Sequence, residues 1–260
     1  MNIEKRVNRE KISHTEDDIF ERSVKLKKRF HHIFTYPSLN RLLSEFENKY
    51  SDSKSLTVLD YGCGKGYDSL KLLESGAKVF GIDISEKYIE SARNLAIKNN
   101  HQETEFNFQV MDAHNLTFEN DTFDLVIGNG ILHHLDTPTA LKSIYRVLKP
   151  GGRAVFREPL ASNPLLKLFR FLTPRARTID ESPFSGSDLK KLIDLKLWDN
   201  QNVMYCGLVC APVAMITSII LPKYPDNLFL RYSDKLEKKL NRYNFFKPLN
   251  QYILFDLKKL

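Results

Sequence analysis

The sequence predicts an α/β protein built on a doubly wound, mostly parallel sheet. Short apolar runs and amphipathic helical segments alternate five times between Leu56 and Glu158, and the first run ends in a glycine-rich turn. This alternation places parallel strands in one sheet with helices on both of its faces. No internal repeat or low-complexity tract interrupts the pattern.

The strands and helices of this core follow from changes in the hydrophobic period. Buried strands are predicted for the apolar runs "LTVLDYG", "KVFGIDI", "EFNFQVMDA", "FDLVIGNG" and "RAVFRE". Helices are predicted between them, for "YDSLKLLESGA", "SEKYIESARNLAIKNN" with Ser85 as its N-cap, and "PTALKSIYRVLKPGG" up to Pro150.

The N-terminal flank is predicted to be helical. Residues 1–50 carry apolar side chains at helical spacing, including Phe30, Ile33 and Phe34. Pro37 interrupts the pattern, and Ser38 is a candidate N-cap for the helix that follows.

The C-terminal flank is predicted to contain a strand, two helices and a closing strand. The run "NVMYCGLVCAPVAMITSIILP" has no charge and is long enough to span a bilayer, but Pro212 and small polar residues favour a strand followed by a buried helix. The closing strand is "QYILFDLKK". An amphipathic helix precedes it, with an apolar face formed by Leu228, Tyr232, Leu236, Leu240 and Tyr243.

Composition fits one domain with additional segments. The chain has 260 residues, 42% hydrophobic and 27% charged, and a net charge of +7. The charged N-terminus lacks the apolar core of a signal peptide, and three cysteines predict no disulfide framework. We therefore expect a cytoplasmic protein and interpret Cys206 and Cys210 as small apolar residues rather than zinc ligands.

The turn "GCGKG" carries the first functional signal. Gly62, Gly64 and Gly66 have the spacing G-x-G-x-G. A P-loop requires G-x-x-x-x-G-K-[ST], and the dehydrogenase fingerprint places its third glycine one residue later. The tighter turn allows close approach of a nucleoside that has no phosphate, such as S-adenosylmethionine, whose adenosine is joined to methionine through a sulfonium.

Two acidic residues support this interpretation. Asp83 ends the second strand, where a carboxylate can accept hydrogen bonds from both hydroxyls of a ribose. NAD also has a ribose that binds a carboxylate at this position, so Asp83 alone does not distinguish S-adenosylmethionine from NAD. Asp112 follows the third strand, where a short carboxylate can accept a hydrogen bond from an adenine amino group beside the backbone of Ala113.

Five motifs occur in order between Leu56 and Glu158: "VLDYGCGKG", "VFGIDIS", "MDAHNL", "FDLVIGNGILHHL" and "LKPGGRAVF". In this order they resemble the class I S-adenosylmethionine-dependent methyltransferases of the small-molecule type 11/12-like subgroup. The resemblance implies a Rossmann-like sheet of seven strands whose last strand is antiparallel. It also implies an N-terminal helical lid (1–50), a cofactor-binding core (51–160), and substrate-side helices with closing strands (161–260).

The resemblance implies a set of cofactor contacts and no metal. The contacts are Asp60, Gly62, Gly64 and Gly66 at the methionine end, Asp83 with Ile84 at the ribose, Asp112 and Ala113 at the adenine, and Asn129 beside the sulfonium.

The residues that follow the fourth and fifth strands are candidates for catalysis. His133 and His134 lie on the rim over the expected cofactor, and an imidazole has a suitable pKa for removing a proton from a hydroxyl acceptor. Glu158 is expected to orient one of them or to bind substrate. The alternative is that "LHHL" only caps the following helix. Three further residues are candidates for substrate binding: His32, Tyr36 and Arg177.

Several functions remain open at this stage. O-methylation of a small molecule is the first, and methylation of a lipid-like or quinone substrate at a membrane surface is the alternative, with residues 203–246 as the membrane contact. An RNA methyltransferase is disfavoured because the sequence has no RNA-binding module, so no nucleic acid partner is expected. A NAD-linked dehydrogenase is disfavoured by the early third glycine.

Overall fold

A computed structural model of the chain describes residues 28–172, 183–184 and 198–260. Within these residues one sheet has seven strands in the order β3-β2-β1-β4-β5-β7-β6. Their bounds are β1 (Thr57–Tyr61), β2 (Lys78–Asp83), β3 (Phe106–Val110), β4 (Phe123–Asn129), β5 (Leu148–Pro159), β6 (Trp198–Cys206) and β7 (Tyr252–Lys259).

The sheet confirms the predicted fold class. Strands β1 to β5 pair in parallel, and β7 runs antiparallel to both β5 and β6. The closing strand "QYILFDLKK" is therefore the antiparallel strand that was predicted. Strand β5 begins at Leu148, earlier than the predicted start at Arg153. The register of its ladder with β4 shifts in this region, where Pro150 has no N–H to donate.

Seven α-helices connect or flank the strands in the described ranges. They are α1 (Pro37–Asn48), α2 (Tyr67–Glu74), α3 (Glu86–Lys98), α4 (Thr137–Val147), α5 (Pro164–Leu172), α6 (Cys210–Ile220) and α7 (Leu228–Leu240). Short 3-10 helices span His31–Phe34, Leu132–His134 and Lys247–Leu249.

Side-chain caps fix the starts of four of these helices, including α5, where Asn163 Oδ1 accepts the N–H groups of Leu165 and Leu166. Ser85 accepts a hydrogen bond from the backbone of the first turn of α3, as predicted, and Asp136 and Asn227 do the same for α4 and α7. The N-cap predicted at Ser38 is wrong, because α1 begins one residue earlier, at Pro37. Proline suits the first helical position, where its missing N–H would have had no partner in the helix.

The core lies in two layers, one on each face of the sheet. Alternate strand residues point to opposite layers: Val58 belongs to the layer that contains α1, α2, α3, α6 and α7, whereas Leu59 belongs to the layer that contains α4. Both residues are fully buried. The central parallel strands are thus covered on both faces, which explains the continuous apolar runs of β1 and β4.

Helix α7 differs from its sequence prediction. The predicted apolar face is turned outward at Leu228, Tyr232 and Leu236, and the buried residues include Asp234 and Glu237. Glu237 accepts hydrogen bonds from the backbone N–H groups of Gly207, Val209 and Cys210, at 2.9 to 3.0 Å. A carboxylate at the N-terminus of α6 is favoured there by the unpaired N–H groups and by the helix dipole.

The described part of the N-terminal flank packs against the sheet. Residues 1–27 of the N-terminal flank lie outside the described residues. Its described part, including α1, packs on the sheet beside β5, β6 and α7. Among the residues that the structure describes, no helix has both the length and the apolar character needed to cross a bilayer.

Candidate functional site

A pocket lies at the carboxyl edge of the parallel strands, over the ends of β1, β2, β3 and β4. This is the edge at which ligands bind in open α/β sheets. Of the residues singled out from the sequence, Gly62, Gly64, Asp83, Ile84, Asp112, Ala113 and His134 line it. Sequence reasoning missed seven lining residues: Ile82, Tyr88, Met111, His114, Gly130, Ile131 and Leu135.

The glycine turn forms one wall of the pocket. Gly64 has φ +51°, and a Cβ built on it would meet no atom within 4 Å, so this glycine faces open space. Gly66 has φ +81°, and a Cβ there would lie 2.9 Å from the backbone of Ala92 on α3. Gly64 therefore leaves room on the pocket side, whereas Gly66 allows close packing of the turn against α3.

Asp83 connects the ends of β1 and β2. Its Oδ2 accepts the N–H of Gly64 at 3.0 Å, and its Oδ1 accepts the N–H of Ser85 at 2.9 Å. The carboxylate is thus held against the pocket wall by backbone donors. A carboxylate oxygen can accept more than one hydrogen bond, so a carboxylate on this wall is suited to bind a pair of ligand hydroxyls.

Asp60 lies behind the turn and is buried. The Ser69 hydroxyl donates to its Oδ2 at 2.5 Å. Burial and, after it, the nearby charges of Asp68 and Asp83 raise the pKa of Asp60 to about 7, against the opposing effect of the Ser69 hydrogen bond. Asp60 does not line the pocket, but it adds to a concentration of negative charge beneath the turn.

The end of β3 carries a network around Asp112. The Asp112 Oδ1 atom accepts the backbone N–H of His114 at 2.9 Å and lies 2.8 Å from His114 Nδ1. The N–H of Asp136 donates to His114 Nε2 at 3.0 Å. Because Nε2 accepts, the ring proton is on Nδ1 and is donated to Asp112. His114 therefore fixes one carboxylate oxygen, while Tyr61 donates to the neighbouring Ala113 carbonyl.

Glu158 is completely buried at the end of β5 and holds the 3-10 helix that carries the histidine pair. Its carboxylate accepts the backbone N–H groups of Ile131 and Leu132, at 3.0 and 2.9 Å. It also lies 2.8 Å from His133 Nδ1. The structure thus brings His133 and Glu158 into direct contact.

The two histidines occupy different positions. His133 is buried, and its Cε1 would lie 3.8 Å from a Cβ on the pocket residue Gly130. His134 is half-buried and lines the pocket, with its ring centroid 4.1 Å from that of His133. His133 therefore lies behind the pocket wall and His134 on it.

Asn129 links α2 to β5 rather than lining the pocket. Its Nδ2 donates to Asp68 Oδ2 at 3.0 Å, and its Oδ1 accepts from Arg157 Nε at 2.7 Å. The Arg157 guanidinium also lies over the Tyr252 ring, 5.1 Å from the ring centroid. Arg157 was not among the candidates from the sequence, although it directly precedes Glu158 at the end of the predicted strand "RAVFRE".

His32 and Tyr36 do not line this pocket. Both are fully buried between the N-terminal flank and the C-terminal elements: His32 Nδ1 lies 2.9 Å from Thr217 Oγ1, and Tyr36 donates to Gln251 Oε1 at 2.8 Å. Desolvation lowers the pKa of His32 and raises that of Tyr36. Their role in substrate binding stays a prediction. The third candidate, Arg177, lies outside the described residues.

No group of three or more potential metal-ligating side chains occurs in the described part of the chain. Cys206 and Cys210 are both buried and packed in the core layer that contains α6.

Two curated proteins show sequence similarity to the core. A demethylmenaquinone methyltransferase of Lactococcus lactis subsp. lactis is 39% identical over 126 residues, which are 46% of this chain and 48% of that protein. A ubiquinone biosynthesis O-methyltransferase of Coxiella burnetii is 36% identical over 104 residues, 40% of this chain and 43% of that protein. The chain thus spans less than half the length of each relative.

Solved structures share the fold. The geranyl diphosphate C-methyltransferase of Streptomyces coelicolor superposes with a TM-score of 0.61 and 14% identity, covering 85% of this chain and 80% of the other. Phosphoethanolamine N-methyltransferase 2 of Haemonchus contortus gives 0.58 and 19%, covering 85% and 52%. At these identities the likeness shows the fold alone.

The family comparison covers more of the chain than either relative does. A family model described as a methyltransferase domain matches residues 52–211, which include the glycine turn, both acidic strand ends and the histidine pair. The chain therefore belongs to the methyltransferase domain family, with the class I Rossmann-like fold that its sheet displays.

Proposed function

We propose that the chain transfers a methyl group from S-adenosylmethionine to a hydroxyl of a small-molecule acceptor. The observation that carries the proposal is the pocket between the G-x-G-x-G turn and the acidic ends of β2 and β3. Membership of the methyltransferase domain family and the names of the curated relatives support the same reaction class.

The charge around the turn favours a cationic ligand. Asp60, Asp68 and Asp83 lie close enough for the charges of Asp68 and Asp83 to raise the pKa of Asp60. S-adenosylmethionine carries a sulfonium and an ammonium group, which such a cluster attracts. A pyrophosphate would instead be repelled, so the cluster argues against NAD.

In this proposal the two strand-end carboxylates bind the nucleoside. Asp83, held by the N–H groups of Gly64 and Ser85, accepts the ribose hydroxyls. Asp112, with one oxygen fixed by His114, offers the other oxygen to the adenine amino group. The half-buried apolar side chains of Ile84, Met111 and Leu135 provide the surfaces against which the base packs.

The reaction is an in-line displacement in which the acceptor oxygen bonds to the methyl carbon while the carbon–sulfur bond breaks. S-adenosylhomocysteine is the product. The protein's main task is to align the three reacting atoms and to take up the hydroxyl proton. We assign the proton to His133 or to His134. The contact with Glu158 favours His133 as the base, because a carboxylate at Nδ1 fixes the orientation of the ring.

A quinone-like or lipid-like acceptor at a membrane surface is the second candidate. The names of the two curated relatives support it, because one is a demethylmenaquinone methyltransferase and the other a ubiquinone biosynthesis O-methyltransferase. In either case residues 51–160 are the proposed cofactor-binding core, residues 161–260 the substrate side, and residues 1–50 the proposed lid. His32, Tyr36 and Arg177 remain the candidates for acceptor contact, and Asn129 for contact near the sulfonium.

Calorimetry on the full chain tests the cofactor proposal. S-adenosylhomocysteine should bind and raise the melting temperature, whereas NAD should do neither. Binding of NAD but not of S-adenosylhomocysteine would refute the assignment. Transfer of a labelled methyl group to a panel of phenols, quinols, sugars, lipids and amines would then identify the acceptor atom.

A further inference from the structure

We propose that α6 and α7 form a hairpin that docks on an anionic lipid membrane and presents the pocket to an acceptor dissolved in that membrane. The proposal deepens the proposed function and rests on it for the reaction, but lipid binding can be measured without turnover.

The hairpin carries a concentrated apolar surface. Of the 18 large apolar side chains that are exposed in the described residues, 13 lie between Leu165 and Phe245. Six of them, which we call the hairpin surface, lie on the last turns of α6 and the first turns of α7, and each is more than half exposed. They are Ile216, Ile219, Ile220, Leu228, Phe229 and Tyr232. An apolar patch of this kind marks a contact site.

The helical positions place these residues on outward faces. Ile216, Ile219 and Ile220 have the spacing of one helix face, opposite to the buried residues Ala211 and Ala214. On α7 the apolar face is exposed, although burying it would have been the usual arrangement for an amphipathic helix. Helix α7 buries Asp234 and Glu237 beside Leu230 and leaves most of its large apolar side chains exposed, so this apolar face is available for another surface.

The charges of the hairpin favour an anionic partner surface. Residues 221–247 contain seven Lys or Arg and three Asp or Glu. Asp234 and Glu237 are buried, where they bind Arg41 and the start of α6. The acid left on the outside, Asp226, pairs with Arg231. The exposed side of the hairpin is therefore basic as well as apolar, which is the combination that binds anionic lipid interfaces.

The position of the hairpin connects it to the pocket. The carboxyl end of β6, from which α6 continues, pairs at Cys206 with Tyr252 of β7, and Tyr252 also pairs with Pro159 at the carboxyl end of β5. The hairpin thus leaves the sheet at the edge where Glu158 and the pocket lie. An acceptor with a long apolar tail would approach the pocket from this side.

The charge also argues against a second copy of the chain as the occupant. A symmetric dimer through this surface would bring Lys235, Lys239 and Arg242 of one copy close to the same residues of the other. Such like-charge contacts disfavour the dimer, whereas anionic headgroups neutralise them.

Sedimentation of the full chain with vesicles tests the proposal. Vesicles of phosphatidylglycerol and phosphatidylcholine in equal parts should bind the chain, and pure phosphatidylcholine vesicles should bind it weakly. The double variant Ile219→Glu with Phe229→Glu should lose at least about tenfold in binding. Ile97→Glu is the matched control, because Ile97 is an exposed isoleucine on α3, and it should bind normally.

A second variant isolates the charge contribution. Replacing Lys235 and Lys239 by Gln should weaken binding to the anionic vesicles by about fivefold for each side chain removed, and added salt should reduce the difference. Lys98→Gln, on α3, is its control and should have no effect.

Three results would overturn the docking proposal. They are absence of binding to anionic vesicles, binding that the hairpin variants leave unchanged, and a dimer in light scattering that the variants dissociate. Hydrogen exchange on the full chain adds a fourth criterion, because α6 and α7 should gain protection only when vesicles are present. If the chain binds S-adenosylhomocysteine but not vesicles, the docking proposal fails and the proposed function is retained. If it binds vesicles but not S-adenosylhomocysteine, the proposed function fails and only the membrane-binding role of the hairpin is retained.

Discussion

The Nδ1 atom of His133 lies 2.8 Å from Oε2 of Glu158, and the carboxylate is completely excluded from solvent. The same carboxylate accepts backbone N–H groups from the 3-10 helix that contains His133. With all these donors on one carboxylate, the ring donates from Nδ1 and directs Nε2 away from Glu158. This pair therefore has two separable roles, in holding the helix and in orienting the imidazole.

The catalytic role predicts different outcomes for the two histidines. If His133 is the proposed base, His133→Ala should lower kcat by about 100-fold to 10,000-fold, while the Kd for S-adenosylhomocysteine should change little because His133 does not line the pocket. His134→Ala should mainly weaken ligand binding, because His134 lines the pocket. Steady-state kinetics and calorimetry on both variants separate these effects. Full turnover by His133→Ala would refute its role as the base.

Glu158→Gln is the control for the structural role of the pair. An amide at this position would direct its NH2 group at backbone donors, so we expect a loss of about 1–3 kcal/mol in the free energy of unfolding. Urea titration measures this loss independently of activity. If His133→Ala leaves stability unchanged and Glu158→Gln lowers it, the base role and the helix-holding role are distinct.

The glycine turn offers a matched pair of variants. Gly66→Ala should destabilise the fold by a few kcal/mol, because the new Cβ would lie 2.9 Å from the Ala92 backbone and the residue has a positive φ. Gly64→Ala meets no neighbouring atom, so its cost in stability is limited to the strain of a positive φ, about 1 kcal/mol.

Ligand binding should reverse this order of severity. The methyl group of Gly64→Ala occupies space on the pocket side, so the folded variant should bind S-adenosylhomocysteine at least about tenfold more weakly. Thermal unfolding and calorimetry on both variants provide the check. Normal affinity in Gly64→Ala would mean that the ligand does not approach this turn closely.

The parts of the fold that follow from local rules were predictable from the sequence. Strands β1 and β4 contain continuous apolar runs because both faces of the sheet are covered there, and Ser85 marks the start of α3. The inverted face of α7 was not predictable, because it depends on Glu237 meeting the start of α6 after the chain has folded. Periodicity alone identifies an apolar face but not what covers it.

The candidate site was predictable to a similar degree. The glycine spacing and the strand-end carboxylates identified the pocket wall, since the carboxyl ends of parallel strands meet at one edge. His114 was overlooked because its contact with Asp112 spans only two residues and depends on the ring being fixed by Asp136. The burial of Tyr36 likewise depends on Gln251, which is distant in sequence.

His114 is expected to act on the adenine site through Asp112. His114→Ala should weaken S-adenosylhomocysteine binding by about tenfold, because Asp112 loses the donor that fixes its Oδ1. If the effect passes through the carboxylate, His114→Ala combined with Asp112→Asn should bind no more weakly than Asp112→Asn alone. Calorimetry on the three variants completes the cycle, and additive losses would show that His114 contributes independently.

Asp60 makes cofactor affinity depend on pH. With a pKa of about 7, its carboxyl is largely protonated below neutrality, and a cationic ligand favours the ionised form. Affinity for S-adenosylmethionine should therefore fall as the pH falls through 7, by up to about tenfold for each unit. Calorimetry in buffers of different ionisation enthalpy should detect a proton released on binding near pH 7, and Asp60→Asn should abolish that release.

The same group affects stability in the opposite direction. The folded chain keeps the Asp60 proton between the ordinary carboxyl pKa of 3.8 and about 7, whereas the unfolded chain has already lost it. The free energy of unfolding of the ligand-free chain should therefore decrease as the pH rises across this interval. Asp60→Asn removes this decrease, so above pH 7 the variant should be more stable than the unsubstituted chain and yet bind the ligand more weakly. Urea titrations on both sides of neutrality measure the difference, and an unchanged pH dependence of unfolding in the variant would show that Asp60 is ionised throughout.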